Sequence, residues 1–416
     1  LMDDRAAAAL ALNSVLKHRR TTDQILESLA SPAARDYLFG SLRYYFSICS
    51  LLDPLMQRPI ADKHQDIYCL LIVGAYQLLY GRTPDHAAIH ATVQACGELK
   101  KPWAKGLVNG VLRNLQRQPP INLSIEQSYP AWFAELIEKG YPGRMEAVLT
   151  ALLERAPQAL RVNLKENTVE AYCALLSQAG INYSGGYTNA TLILNDPVRQ
   201  KDLPAFDQGK VSAQDAGASL VTELLPLKSG QRLLDTCAAP GGKLFALMEA
   251  TPEIHATAIE VSSQRTAHLR VEADRLGHAP KIVESDATSI DWWDGTPFDA
   301  VLVDAPCSGS GTVRRHPEIL ILQEKQRLIE YQRQQLRLLT SAWQTLKPGG
   351  LLLYCTCSIF EAENDDVINT FLADAREASP ETLTLPTGNP TDAGWQLLPT
   401  DNKTDGFYYA LLKRAE

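Results

Sequence analysis

At 416 residues the chain is longer than one ordinary hydrophobic core can organise, so two or three domains are expected, with room for a doubly wound sheet. A formal charge of -8 excludes a uniformly basic nucleic-acid coat, so any phosphate binding must come from local clusters. Eight cysteines lack the paired spacings of a disulfide scaffold, the Ala-rich opening after Asp3 and Asp4 is unlike a signal peptide, and the longest apolar run, residues 69–75, cannot span a bilayer. Together these place the chain in the reducing cytoplasm, away from membranes.

From residue 5 to about 117 nearly every segment has helical spacing, with punctuation at Ser31-Pro32, Gly81, Pro84-Asp85, Pro102 and Pro119-Pro120. This predicts an all-α domain over 1–125. Two basic clusters, Lys17, Arg19 and Arg20, then Lys100, Lys101, Lys105, Arg113 and Arg117, suit phosphates, with solvated helix faces as the plain alternative. Residues 126–206 mix helices (131–139, 145–155, 169–179) with short β-like runs (160–163, 191–195), predicting a small α+β connecting domain. Asn167 with Glu170 reads as a helix start and Gly180 as a stop.

From residue 207 the rhythm is strand, turn, helix, with strands at 232–235, 256–260, 281–284, 298–303 and 351–355. That alternation predicts an α/β, Rossmann-like domain over 207–416 with a mostly parallel sheet and right-handed crossovers. A long amphipathic helix is expected over 318–346, with Leu328, Leu336, Leu339, Trp343 and Leu346 on one face and Arg333 and Arg337 beside it. Lys347-Pro348-Gly349-Gly350 ends it, and 395–398 and 406–412 are expected as antiparallel edge strands.

The chemistry gathers at the expected carboxyl ends of the strands. The first strand runs into Cys237-Ala238-Ala239-Pro240-Gly241-Gly242-Lys243, whose small residues let backbone approach a ligand. A P-loop is disfavoured, because Cys237 stands where the leading Gly belongs and Leu244 follows Lys243; the dinucleotide fingerprint G-x-G-x-x-G is absent. Glu260, Asp286 and Asp304 close three strands, Glu260 placed for a ribose diol and Asp286 for an adenine amino group, so an adenosyl ligand is expected. Helix capping explains any one of them equally well.

Asp304 opens the loop Asp-Ala-Pro-Cys-Ser-Gly-Ser-Gly, read either as an active-site loop or as a strand-to-helix turn with a buried Cys307. The last parallel strand ends at Thr356-Cys357-Ser358. There Ser358 and Glu361 fit a capping box that would put Cys357 at a helix N-terminus and favour its thiolate, while Glu361, Glu363, Asp365 and Asp366 oppose ionisation. Cys355 reads as a buried strand residue. A zinc site of Cys237, Cys307, Cys355 and Cys357 lacks paired C-x-x-C spacing, and no metal is expected.

Taken together, CAAPGGK at 237–243, DAPCSGSG at 304–311 with RRHPEI after it, TCS at 356–358 followed by EAEN, Gln214-Asp215, and TDGFY at 404–408 resemble the RNA cytosine-5 methyltransferases of the RsmB/Fmu (Sun) group. Residues 5–117, with HAA at 86–88 and KGLVNGVLR at 105–113, resemble the NusB-type RNA-binding domain that marks the bacterial branch of that group. The resemblance implies S-adenosyl-L-methionine held by residues 237–243, Glu260, Arg265, Asp286 and Asp304. It also implies a Cys357 thiolate adding at cytosine C6, Asp304 on the base's N3/N4 edge, and Cys307 in release of the product.

The implied substrate is small-subunit (16S) rRNA, methylated at C5 by a monomeric enzyme; the branch takes its name from cytosine 967, a position that no residue here derives. Arg314, Arg315, Arg333 and Arg337 are candidates for flanking phosphates. The sequence departs from the family at Glu260 (usually Asp), Ser285 (usually Gly) and Thr236 (usually apolar), and the first puts the ribose contact in question. The rivals are a non-catalytic antitermination-like RNA binder with a degenerate methyltransferase half, opposed by the intact Cys307, Cys357 and Asp304, and a Rossmann oxidoreductase, opposed by the missing fingerprint.

Overall fold

Helix boundaries in the first third follow the punctuation in the sequence. Ser31 accepts a hydrogen bond from the Ala33 amide with Pro32 at the first helical position, opening helix Pro32–Arg43, and Gly81 closes helix Gln65–Tyr80. Pro102 begins a tight turn that leads into helix Lys105–Arg117. The computed structural model describes residues 2–119 and 123–416; Pro120, part of the expected Pro119-Pro120 break, lies outside the described residues.

The chain divides into two units. The first runs up to Glu154 and includes Val313–Lys325; the second comprises Arg155–Thr312 and Gln326–Glu416. In the first, helix Gln65–Tyr80 is the centre: Ile67, Leu70, Leu71, Ile72 and Val73 have no exposed surface, as expected of a helix apolar all round. Leu12, Val15, Leu38, Leu42, Ile48 and Leu112 from the surrounding helices complete this core.

Here the expected helix over 318–346 is corrected. It breaks into Ile319–Leu322 and Arg327–Thr345, with Gln323 extended between them. The cause is packing: Leu320 is buried, Ile321 and Leu322 pack on the first unit's core, and Glu318 accepts hydrogen bonds from the Thr22 amide (3.0 Å) and hydroxyl (2.6 Å). Arg43 donates to the Arg314 carbonyl in the same unit at 3.1 Å. Tertiary contacts override a helical period that the sequence carries without interruption.

The second unit holds two sheets. Strands β1 (Gln158–Val162), β2 (Tyr183–Gly185), β3 (Thr191–Leu194) and β4 (Val211–Ala213) form an antiparallel sheet in the order β2-β3-β1-β4. Helix Val169–Gln178 is capped by the Thr168 hydroxyl on the Ala171 amide, one residue later than the Asn167 start read from the sequence; Thr168 is extended and aims its oxygen at the free amide, whereas the Asn167 side chain bonds its own neighbour's amide.

The larger sheet contains β5 (Arg232–Asp235), β6 (His255–Glu260), β7 (Lys281–Glu284), β8 (Phe298–Asp304) and β9 (Leu346–Thr356), all parallel. After β9 the chain adds β10 (Ala378–Glu381), β11 (Asn389–Pro390), β12 (Trp395–Leu397) and β13 (Phe407–Arg414) on the β9 side. The order is β11-β12-β13-β9-β8-β5-β6-β7, with β13 antiparallel to β9, pairing Tyr408 with Thr356. From β5 the chain winds outward through β6 and β7, then returns to the other side for β8 and β9. The reversal between β5 and β8 is a topological switch point, where open α/β sheets bind ligands beyond the strands' carboxyl ends.

Helix Arg327–Thr345 buries Leu338, Leu339, Ala342 and Trp343 against one face of this sheet and leaves Arg333 and Arg337 exposed.

Candidate active site

Four strand ends converge at the switch point: Asp235 on β5, Glu260 on β6, Asp304 on β8 and Thr356 on β9. After β5 the loop turns through Gly241 at φ 103°, a left-handed conformation. A Cβ there would stand 2.1 Å from the Phe245 ring, so glycine is required on both counts. Helix Gly242–Ala250 starts immediately after it. Lys243, on that helix, donates to Asp304 at 2.6 Å; burial alone would lower the ammonium, but Asp304 beside it outweighs burial and holds it well above the usual lysine value.

The Asp304 loop and the Thr356 loop lie against each other. Gly311 donates to the Cys357 carbonyl (2.9 Å), and its backbone lies so close to Gly406 that a Cβ would come within 2.3 Å of the Gly406 oxygen. The Cys307 and Cys357 sulfurs are 3.4 Å apart. The hydrogen bond to Cys357, burial and the nearby Glu363 push the Cys307 thiol well up, which favours Cys307 as the donor of the pair. The same bond, aided by Lys243, draws Cys357 below the ordinary thiol value. Cys237 and Cys355 are both pushed far up by burial and then by the surrounding carboxylates, so of these four thiols Cys357 alone is shifted toward thiolate.

The reason differs from the sequence reading. Ser358 and Glu361 form no capping box: residues 361–363 make a single tight turn, helix Asp365–Asp374 begins later, and Glu361 is exposed. Cys357 therefore has no helix N-terminus beside it. Ser358 instead donates to Glu363 (2.6 Å) and accepts from the Phe360 amide (3.1 Å).

Glu363, fully buried, holds the two loops together. It accepts from the Ser308 amide (2.8 Å) and hydroxyl (2.6 Å), from Ser358, and from Gln335 (3.2 Å). Burial raises its carboxyl and these donors oppose the rise. Asn364 adds a second tie, accepting from the Thr356 hydroxyl and donating to the Ser358 carbonyl. Sequence reasoning saw Glu363 only as a charge opposing Cys357 and missed its bridging role; the signal available was the run of acids just after Cys357.

Asp235 was also missed, although it closes β5 as Glu260 closes β6. Burial and then the Asp304 charge push its carboxyl up to about 7, while it accepts from the Cys237 amide at 3.2 Å. Asp286 lies at the surface, turned onto the Thr288 amide at 2.8 Å. Arg314, expected at flanking phosphates, is buried, 1% exposed, and so is not open to a phosphate; Arg315 is partly exposed.

A family model described as 16S rRNA methyltransferase RsmB/F matches residues 222–413. Full-length relatives agree: "Ribosomal RNA small subunit methyltransferase B" of Shewanella oneidensis is 38% identical over 100% of both chains. Its counterpart in Pseudomonas putida is 38% identical over 99% of this chain and 98% of its own. The chain belongs to the RsmB/F family of 16S rRNA methyltransferases.

Two further models place a NusB family domain at residues 2–117 and an RsmF/B-type ferredoxin-like domain at 129–200 of this RsmB/F-family chain. The crystal structure of PH0851 shares the fold over 100% of this chain and 99% of its own, with a TM-score of 0.86 at 22% identity.

The methyltransferase residues suit an adenosyl ligand on one observation in particular. Glu260 is 2% exposed, and its Oε1 accepts from the Ser262 amide at 3.0 Å, yet Oε2 is buried without a hydrogen-bond partner among the described residues. Arg265 lies 3.3 Å from that oxygen and donates to the Ala239 carbonyl. A buried acceptor in want of a donor fits a ribose hydroxyl. Among the described residues no three His, Cys, Asp or Glu side chains form a metal-holding group, and no helix is long and apolar enough to cross a membrane.

Proposed function

We propose that the protein moves a methyl group from S-adenosyl-L-methionine to C5 of a cytosine in 16S rRNA, through a covalent bond between Cys357 and C6 of the base. The observation that carries this is the thiol pair, 3.4 Å apart beside Asp304, in which Cys357 is drawn toward thiolate and Cys307 toward thiol. When bound, the cofactor supplies an electrophilic methyl group, and residues 237–243, Glu260, Arg265 and Asp286 are the groups to hold it.

Cytosine C5 is too weak a nucleophile to accept that methyl unaided. Attack of the Cys357 sulfur on C6 forms an S–C bond and pushes the displaced electron pair onto C5, which then bonds the methyl carbon. Asp304, fixed by Lys243, meets the N3/N4 edge of the base and stabilises charge as the adduct forms. The base must leave its stack to reach the thiols.

Afterwards a solvent base takes the C5 proton, the C–H electron pair re-forms the C5–C6 double bond, and the C6–S bond breaks with its pair returning to sulfur. The Cys307 hydrogen bond that favours the Cys357 thiolate before attack favours it again on departure, so one contact serves both ends of the reaction.

Replacing each thiol tests this reading. Cys357→Ala should abolish methylation and leave no covalent complex. Cys307→Ala should still attack and transfer the methyl group but release slowly, so a protein–RNA adduct should survive denaturing electrophoresis. An adduct with Cys357→Ala instead would reverse the assignment.

A further inference from the structure

Between Glu98 and Glu126 the sequence holds Lys100, Lys101, Lys105, Arg113 and Arg117 and no acidic residue, in a chain whose net charge is -8. Within this basic stretch Trp103 is 56% exposed, on the tight turn Pro102–Ala104. An indole left this far in water forfeits most of what its burial would contribute. The His64 ring meets it at 4.8 Å between centroids and 61° between planes, and with that contact made the indole is still more than half exposed.

Lys101 donates to the Lys63 carbonyl and pairs with Asp66, so its charge is largely answered within the fold. Lys100 and Lys63 are exposed, and Lys105 has a neutral partner, Gln94, at 2.8 Å. Lys63, Lys100 and Lys105 outnumber the exposed acids that adjoin them in sequence, Asp62 and Glu98.

Helix Lys105–Arg117 continues the surface. Gly106 and Gly110 face solvent one turn apart, and a Cβ on either would meet nothing within 4 Å. Gly110, in the helix interior, costs about 1 kcal/mol relative to alanine, and no close approach inside the protein requires either glycine. Their bare backbone leaves room beside the indole for a strand laid toward Arg113 and Arg117.

We propose that Trp103 is a stacking platform for an unpaired base of the RNA substrate, with Lys63, Lys100 and Lys105 on the adjoining phosphates. The proposal rests on the rRNA reading of the chain and adds to it a specific contact remote in sequence from the thiols. Single-stranded RNA is the occupant this chemistry fits, because its bases offer an aromatic face that paired bases keep inside the helix, and its phosphates complement the lysines.

The test uses the full chain and a fluorescein-labelled, unstructured oligoribonucleotide, with binding followed by anisotropy at fixed salt. Trp103→Ala should weaken binding about 5- to 100-fold, the range for loss of one base–aromatic stack, and Trp103→Phe should recover most of it. S-adenosyl-L-methionine binding and the thermal midpoint should not move. On an abasic oligoribonucleotide, which keeps phosphates but offers no base, wild type and Trp103→Ala should bind alike.

Equal affinity of the two proteins for the intact strand, or an equal loss on the abasic strand, overturns the stacking role. If polyglutamate binds and depends on Trp103 while RNA does not, the surface belongs to an acidic peptide and the proposal fails. Wild type that binds no RNA at all sinks the rRNA reading together with this one.

Discussion

Cys307 and Cys357 hold one hydrogen bond between them, and its removal has a definite sign. Cys307→Ala deletes the donor that favours the Cys357 thiolate, so the Cys357 pKa must rise. A hydrogen bond to a charged group is worth about 1.5–3 kcal/mol, and the pH dependence of iodoacetamide alkylation at Cys357 should therefore move about one to two units upward. An unmoved profile would mean that Lys243 alone sets the thiolate.

Asp235 gives a stability prediction at the same scale. Its folded-state carboxyl is raised to about 7, so the stability it contributes is full below the ordinary carboxylate range and is lost as pH rises toward 7. Asp235→Asn should flatten the pH dependence of unfolding in that window, where wild type loses as much as ~1.4 kcal/mol per pH unit. Denaturant titrations at several pH values measure it.

The identities of the acids and thiols at the strand ends were legible because short apolar runs bounded by turn residues mark where each buried strand stops. The orphaned oxygen of Glu260 was not, because it depends on where Ser262 and Arg265 fold back.

The two reactive loops act as one element because Glu363 bonds both. Glu363→Ala would strand the buried Ser308 amide and hydroxyl, while Gln335 keeps the Pro306 carbonyl and Ser358 keeps Ser310, and each unpaired buried group costs about 1–3 kcal/mol. The expected outcome is a loss of methylation far exceeding any loss of S-adenosyl-L-methionine affinity, read by activity and calorimetry on the same preparation.

A comparable clamp lies behind the cofactor loop. Arg161 of β1 donates to both oxygens of Glu249 (2.7 and 2.9 Å), to Gln214 (2.6 Å) and to the Gly242 carbonyl (2.6 Å), and both partners of the ion pair are buried. Arg161→Met should destabilise by about 3–5 kcal/mol because it leaves the buried Glu249 without its guanidinium partner and with only His278, 3.5 Å away, beside it, and Arg161→Met with Glu249→Met should recover much of the loss. Chemical unfolding of the single and double variants checks this.

At the element scale the sequence told strands from helices well and misjudged helix ends. Ser358 and Glu361 have the right spacing for a cap, but the Ser358 hydroxyl is claimed by Glu363, a competition that spacing does not record.

For the whole molecule, the helical first third and the mostly parallel sheet were legible from periodicity, and the path of residues 313–325 was not. A plain reading treats residues 1 to about 120 as removable without harm to cofactor binding. Their removal takes Thr22 from the buried Glu318 and bares Leu320, Ile321 and Leu322, so a truncated protein should aggregate or bind S-adenosyl-L-methionine only after that strip is made polar. Solubility and cofactor titration of the truncated chain, with and without Leu320→Ser and Leu322→Ser, decide it.

The same detour bears on how such a protein can be inherited. A helical unit that simply precedes an enzyme can be exchanged by joining genes end to end. Here a stretch encoded deep within the enzyme's half, Val313–Lys325, is part of the helical unit, so the coding segments of the two units are interleaved. A chimera carrying a relative's residues 1–154 should fold poorly until residues 313–325 from the same relative are grafted with them, and the donor's late segment should rescue expression where single repairs elsewhere do not.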